Sequence, residues 1–236
     1  VNALQDPASA GEFARNTVAT TFRQSTDVDS CVALTAKLDQ QLDAAVDHGR
    51  RTLGAPIACR AGCSFCCHVR VEVLPHEAIA LFRWLKSRIP EEQGRLIAAR
   101  VISNAARVAT MSPEQHSAAR LQCAFLVEGR CSAYPARPNT CAGFHSLDVN
   151  ACERAYDDAA DLSDRIPMVV EVGEVATATR SGVSQALRQL KLSDAALELH
   201  TAVAALLRDS SLIGRWRSGR ALMKAAEPSG DPRLLR

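Results

Sequence analysis

The stretch Cys59-Arg60-Ala61-Gly62-Cys63-Ser64-Phe65-Cys66-Cys67 sets four thiols within nine residues. Thiolates bind zinc, copper and iron far better than neutral side chains do, so clustered cysteines mark a soft-metal or iron–sulfur site. The competing use is a disulfide framework, the device of small secreted folds whose cores are too small to stand alone. Here 236 residues at 47% hydrophobic composition supply a core, and nine cysteines fall below the density of a disulfide-built chain. The stretch therefore predicts a chain that folds on its own apolar faces and keeps its thiols for metal.

Outward from it, helical spacing dominates. Upstream, Leu34, Leu38, Leu42, Ala45 and Gly49 recur every three or four residues between polar positions, which predicts one amphipathic helix. Cys31 falls on the same stripe and reads as a small buried apolar side chain. Downstream, Pro75-His76-Glu77 reads as a first helical turn with His76 exposed, followed by the stripe Ile79, Phe82, Leu85 and Ile89 up to Pro90. A second helix follows with Ile97, Val101, Ala105 and Val108 inward, and Ser112-Pro113-Glu114-Gln115 is a capping box that opens a third.

Residues 121–149 break this pattern with Gly129, Pro135, Pro138 and Gly143, and Glu128-Gly129 predicts a small hairpin between Ala124-Phe125-Leu126-Val127 and Cys131-Ser132-Ala133-Tyr134. Asn150 is the predicted cap of a helix with Glu153 answering it, which places Cys152 in the first turn, where the helix dipole favours a thiolate. Helices are then expected from Pro167 to Leu192 and from Ser193 to Leu207. The tail from Arg208 carries seven basic and three acidic residues with Trp216 among them, and reads as a solvated, partly frayed helix.

A second cysteine block, Cys123, Cys131, Cys141 and Cys152, complements Cys59, Cys63, Cys66 and Cys67. Adjacent Cys66 and Cys67 point apart on either a helix or a strand, so the two either serve different sites or belong to a polynuclear one. Cys59, Cys63, Phe65 and Cys66 also fit the pattern of radical enzymes that use S-adenosylmethionine, but those continue in strand–helix repeats, whereas this chain continues in consecutive helices.

The cysteines and their neighbours resemble the CxxCxxCC, or YkgJ-like, cysteine-cluster family of zinc- or iron-chelating domains. The resemblance rests on Cys59 to Cys67, Cys123-Ala124-Phe125-Leu126, Gly129-Arg130-Cys131-Ser132-Ala133-Tyr134, Arg137-Pro138 before Cys141, and Cys152, over roughly residues 55–160. Ala124 stands where the family usually has Pro, and Ala142 where it has Arg. The resemblance implies a metal-binding fold with eight candidate ligands, and a similar cluster in flagellin lysine methylases looks like an iron–sulfur site. Fold class alone assigns no reaction.

His68 and His145 either complete a coordination shell, hydrogen-bond a ligating sulfur, or sit as ordinary loop histidines. Arg137 is placed to neutralise surplus thiolate charge. A net charge of +2, from 28 basic and 26 acidic residues, gives no field for nucleic acid. No run reaches the roughly 18 uninterrupted apolar residues of a membrane span, and Val1 to Ser25 lacks the core of a secretory signal. A cytoplasmic protein with reduced thiols is expected. Serine-triad, phosphate-loop and His-Glu-x-x-His patterns are absent from the sequence.

The expectation is thus a mainly α fold: a helical bundle whose cysteine-rich loop and short-hairpin region converges on a metal or iron–sulfur site. Its segments are 1–54 (N-terminal helices), 55–160 (cysteine-cluster domain) and 161–236 (C-terminal helices packed on it). The expected function is to hold zinc or iron, including as an iron–sulfur cluster. The alternatives are an iron-dependent or iron–sulfur enzyme acting on a small molecule or a peptide or protein side chain, and metal storage or delivery.

Overall fold

The fold was analysed in a computed structural model that describes residues 6–25, 27–53, 56–158 and 166–223. The boundaries drawn near 54/55 and 160/161 lie outside the described residues. The predicted α character holds. Helices α1 (Pro7–Gln24), α2 (Val28–Thr52), α3 (Pro75–Ser87), α4 (Glu91–Val108), α8 (Val170–Gln189) and α9 (Leu199–Arg208) build the body, and α5 (Pro113–Ala118), α6 (Asn139–Ala142), α7 (Val149–Asp157) and α10 (Leu212–Arg217) are short. Strands are two residues long and form two antiparallel pairs, β1 (Glu72–Val73) with β4 (Leu197–Glu198) and β2 (Leu126–Val127) with β3 (Arg130–Cys131).

Each long helix buries the stripe its sequence carries. In α2, Leu34, Leu38, Leu42, Ala45 and Gly49 are buried, and Asp27 starts the helix by accepting the Ser30 N–H at 2.8 Å. Cys31 is 2% exposed within the main core. In α1 the buried residues recur every fourth position, Ala10, Ala14, Val18 and Phe22, and they face α8. There the backbones themselves touch, because a Cβ at Gly182 of α8 would run into the carbonyl oxygen of Gly11 in α1. Helices α3 and α4 pack on α9, while α2 lies against α3 and α8. A smaller apolar cluster of Leu42, Val46, Ala142, Val172 and Ala176 ties α2, α6 and α8 together.

The Ser112 capping box forms, with the Ser112 N–H on Gln115 Oε1 at 2.7 Å and the Gln115 N–H on Ser112 Oγ at 3.2 Å. The hairpin also forms, turning at Glu128 (φ 50°) and Gly129 (φ 73°), two successive left-handed residues whose twist suits a two-residue connection.

Four expectations are corrected. Helix α7 starts at Val149 and is capped by Asp148, which accepts the Asn150 N–H at 2.8 Å, so Asn150 is not the cap and Cys152 lies a turn inside. The last long helix starts at Leu199 rather than Ser193, because Leu197 and Glu198 pair with β1 and the Glu198 carboxylate caps the helix. Trp216 is not solvated: it is 2% exposed, meets Phe22 edge-on and donates its indole N–H to Ser193 O at 2.8 Å. The remainder of the basic tail, 224–236, lies outside the described residues. His76 is buried, not exposed, at 1% accessibility; its helix turns this face onto the body of the fold.

Gly182→Ala reverses the usual sign of a glycine-to-alanine change in a helix. It should destabilise the chain by about 1–3 kcal/mol through overpacking against α1, read as a lower midpoint in urea; an equal or higher midpoint contradicts the backbone contact.

Candidate metal centre

The first cysteine block hangs on a tight local fold. The Cys63 N–H reaches Arg60 O at 3.0 Å, and residues Phe65–His68 form one 3₁₀ turn, with the Cys67 N–H on Ser64 O at 2.9 Å. Imidazole Nδ1–H of His68 donates to Ser64 O at 3.0 Å, which closes the same turn from the side. Tyr156 of α7 covers it, with ring centroids 5.8 Å from Phe65 and 5.0 Å from His68, and Arg120 lies over the other contact of that ring at 5.5 Å. Arg120 also donates to the Asp157 carbonyl at the end of α7. Helix α7, which carries Cys152, is thereby fastened to the turn that carries Cys66 and Cys67.

The second block joins the first directly, through the Cys123 N–H on Cys67 O at 2.7 Å. From Cys123 the chain enters the hairpin, with Leu126 N–H on Cys123 O at 3.0 Å and Leu126 paired with Cys131. Trp84 of α3 donates to Ser132 O at 3.0 Å, and Arg100 of α4 donates to Leu126 O at 3.0 Å, so both sides of the hairpin are held by the helical body. Cys141 sits in α6, whose first N–H groups lack helical partners. Glu77 supplies one: its buried carboxylate accepts Leu74 N–H at 2.6 Å at the start of α3 and Asn139 N–H at 2.7 Å at the start of α6.

Ser146 completes the arrangement. Its N–H points at Cys59 Sγ at 3.3 Å, its carbonyl accepts Ala58 N–H at 2.9 Å, and its hydroxyl donates to Asp148 O at 2.9 Å at the start of α7, which carries Cys152. All eight cysteines of the two blocks are free thiols. They form one electrostatic neighbourhood between the 3₁₀ turn, the hairpin, α6 and α7; Cys31, pushed up to about 12 by burial in the core, stands apart. Burial first, and neighbouring thiols second, raise Cys59, Cys152 and Cys141, the last well above its ordinary value. Burial pushes Cys123 and Cys131 up to about 11. Cys66 is raised mainly by its hydrogen bond with the Cys67 thiol. Such groups stay protonated near neutral pH until a cation replaces their protons.

The spacing of the sulfurs bears on which cation. In a closed zinc tetrathiolate, bonds of about 2.3 Å set sulfur atoms about 3.8 Å apart. Among the described residues, no three cysteine sulfurs all lie within 4.8 Å of one another. A donor set made of thiols fits a soft metal.

Arg137 is buried and more committed than its predicted role requires. It donates to Asp43 at 2.6 Å, lies 4.0 Å from Asp39 and stacks over Tyr134 at 3.9 Å, while still easing ionisation of Cys131. His145 is half-buried, with Nδ1 unpartnered among the described residues. Burial, then Arg137 and Arg50, pushes it down to about 4, so it is a neutral imidazole at neutral pH.

The sequence reading missed one polar group. His116, Glu198 and His200, all buried, place ligand atoms within 4.8 Å of one another. Their hydrogen bonds identify a clamp. Glu198 accepts from His200 N–H and Nδ1–H, both at 3.0 Å, and from Thr201 N–H and hydroxyl at 2.7 and 2.6 Å, which uses its acceptor positions. His200 Nε2 accepts Ala124 N–H at 3.2 Å, next to Cys123. Burial raises the Glu198 carboxyl, but the bonds to His200 and Thr201 outweigh it and hold it down at about 2. The only sequence signal was an acidic residue capping a helix, Glu198 before Leu199.

Residues 58–160 match the model of the CxxCxxCC family, described as a "Putative zinc- or iron-chelating domain". Over these residues the chain is similar to the CxxCxxCC family. Comparison with curated proteins and with solved structures gives no match. The domain begins just before Cys59 and ends beyond α7, so it takes in both cysteine blocks, and α1, α2, α8, α9 and α10 lie outside it. No helix among the described residues is long and apolar enough to cross a membrane.

Asp39 beneath the domain gives a pH signature. Burial pushes it up to about 7, Arg137 opposing and Asp43 and Glu77 adding. A carboxyl that holds its proton more tightly folded than unfolded contributes stability that is full below about pH 4 and lost as pH rises through about 7. The stability difference between wild type and Asp39→Asn should therefore shift against wild type between about pH 5 and pH 8, measured by urea titration at each pH. A constant difference rejects the assignment.

Proposed function

We propose that the CxxCxxCC domain holds zinc or iron through Cys59, Cys63, Cys66 and Cys67 together with Cys123, Cys131, Cys141 and Cys152. The observation that carries this is the gathering of eight free thiols, distant in sequence, among which burial and neighbouring thiols raise Cys59, Cys141 and Cys152 and so make their ionisation costly unless a cation is bound.

One observation supports an enzymatic reading beside this. The residue surface of Cys141 reaches solvent although its thiol is raised by burial, and Tyr134 is 55% exposed. Closed four-thiolate sites are structural, whereas a centre open at one edge can meet a small molecule or a peptide side chain.

Anaerobic purification followed by metal and acid-labile sulfide analysis tests the proposal. The expected result is stoichiometric iron with sulfide and a broad visible absorbance, or tightly held zinc without colour. A folded chain that takes up neither zinc nor iron with sulfide on reconstitution would defeat it.

A further inference from the structure

Both peptide groups that flank Cys123 are fully hydrogen-bonded. In the peptide before it, Gln122 O accepts an Asn104 Nδ2–H at 2.8 Å and the Cys123 N–H donates to Cys67 O at 2.7 Å. In the peptide after it, Cys123 O accepts the Leu126 N–H at 3.0 Å and the Ala124 N–H donates to His200 Nε2 at 3.2 Å. With all four groups committed, the backbone on either side of Cys123 is set. Its sulfur keeps only the rotation about the Cα–Cβ bond, a choice among staggered positions. Asn104, Cys67 and Leu126 lie within residues 58–160, whereas His200 stands in α9, outside the region that matches the cysteine-cluster family.

His200 accepts that fourth bond through one tautomer. The Glu198 carboxylate takes the His200 Nδ1–H at 3.0 Å, so the proton stands on Nδ1 and Nε2 carries the lone pair. Asn104 Nδ2 lies 3.2 Å from the same Nε2, so one amide group reaches both His200 and Gln122 O. Glu198 is fixed in turn by the N–H groups of His200 and Thr201, at 3.0 and 2.7 Å, and by its place in β4 against β1. His200 and Glu198 are each 5% exposed, and in such surroundings a satisfied polar chain holds one arrangement.

We propose that His200 is a positioning residue for the metal centre, its Nε2 fixing the Ala124 peptide and with it the direction in which Cys123 presents its sulfur. The inference rests on the reading that these cysteines hold metal, and it extends the support of the centre into α9. Groups that orient a ligand without touching the ion weigh on metal affinity almost as the ligands do. A metal–sulfur bond of about 2.3 Å leaves little room for a sulfur to wander.

The test uses the full chain as wild type, His200→Ala, His200→Gln and Gly182→Ala, the last a destabilising change in the α1–α8 contact, away from the cysteines. Each is purified anaerobically and loaded with Zn²⁺ alone and, separately, with Fe²⁺ and sulfide. Release of whichever metal the wild type retains is timed against excess EDTA, and urea midpoints are measured on the same preparations. His200→Ala is expected to release metal about 10–100-fold faster than wild type. His200→Gln, whose amide oxygen can accept the Ala124 N–H, should recover most of that loss, and Gly182→Ala should release at the wild-type rate despite its lower midpoint. Wild-type release from His200→Ala overturns the inference. So does a glutamine variant as fast as the alanine one, or a Gly182→Ala chain that speeds release as much, since the effect would then be one of stability alone. Should His200→Ala fail to fold by circular dichroism, Asn104→Ala, which removes the donor to Gln122 O, is read in its place: faster release supports the inference and wild-type release overturns it. A wild type that retains neither metal sinks the functional reading itself, whereas retained metal with release indifferent to His200 sinks only the positioning role.

Discussion

One backbone hydrogen bond closes the centre: the Cys123 N–H on Cys67 O at 2.7 Å. Helices α3, α4 and α5 lie between those two residues, so the chain makes a helical excursion and must return to its starting point within hydrogen-bond distance. That return is a constraint on the whole body of the fold. Helices α3 and α4 can bring it about only by packing on α9, and α9 is in turn fixed by β4 pairing with β1, just ahead of α3. The thiols come together because the apolar stripes leave the excursion one way to close.

Buried polar side chains then set the detail that apolar packing cannot. Glu77 serves two helix starts with one carboxylate, Ser146 serves Cys59 with its backbone N–H and the start of α7 with its hydroxyl, and the Glu198–His200 clamp holds the peptide beside Cys123. Hydrogen bonds of this kind are strong in a low-dielectric interior and costly to leave half made, so they favour one arrangement over near alternatives. They sit beside thiol-bearing residues, where a small displacement matters more than it does in the apolar core.

What was legible in the sequence follows from what is local. The stripe of α2, the Ser112 capping box and the Glu128-Gly129 hairpin are set by neighbours within a few positions and appear as read, while in α3 and α4 Ile79, Leu85, Ile97, Val101 and Ala105 are buried as read but Phe82, Ile89 and Val108 are only half-buried. Cys31 was legible as core because it shares a stripe with Leu34 and Leu38. Asn150 and Asp148 are both good cap residues two positions apart, and only the path of the chain through Ser146 chooses between them. Leu197 and Glu198 continue a helical spacing, yet pairing with β1 draws them out of it. The burial of His76 and the meeting of His116 with Glu198 and His200 depend on elements far apart along the chain, which no periodicity encodes.

The placement of Arg137 follows from the same competition between charge and burial. A guanidinium facing only thiolates would be an unpaired buried cation whenever those thiols are protonated. Here Asp43, at 2.6 Å, keeps it paired, and its remaining field still reaches Cys131. The acids therefore stabilise the metal-free fold, while the arginine lowers the cost of ionising the second cysteine group. Burial pushes the Asp39 carboxyl up to about 7, so the charge beside Arg137 changes by one proton near neutral pH. A polar bed of this composition suits neutral, protonated thiols and would also suit the anionic form that the proposed metal binding requires.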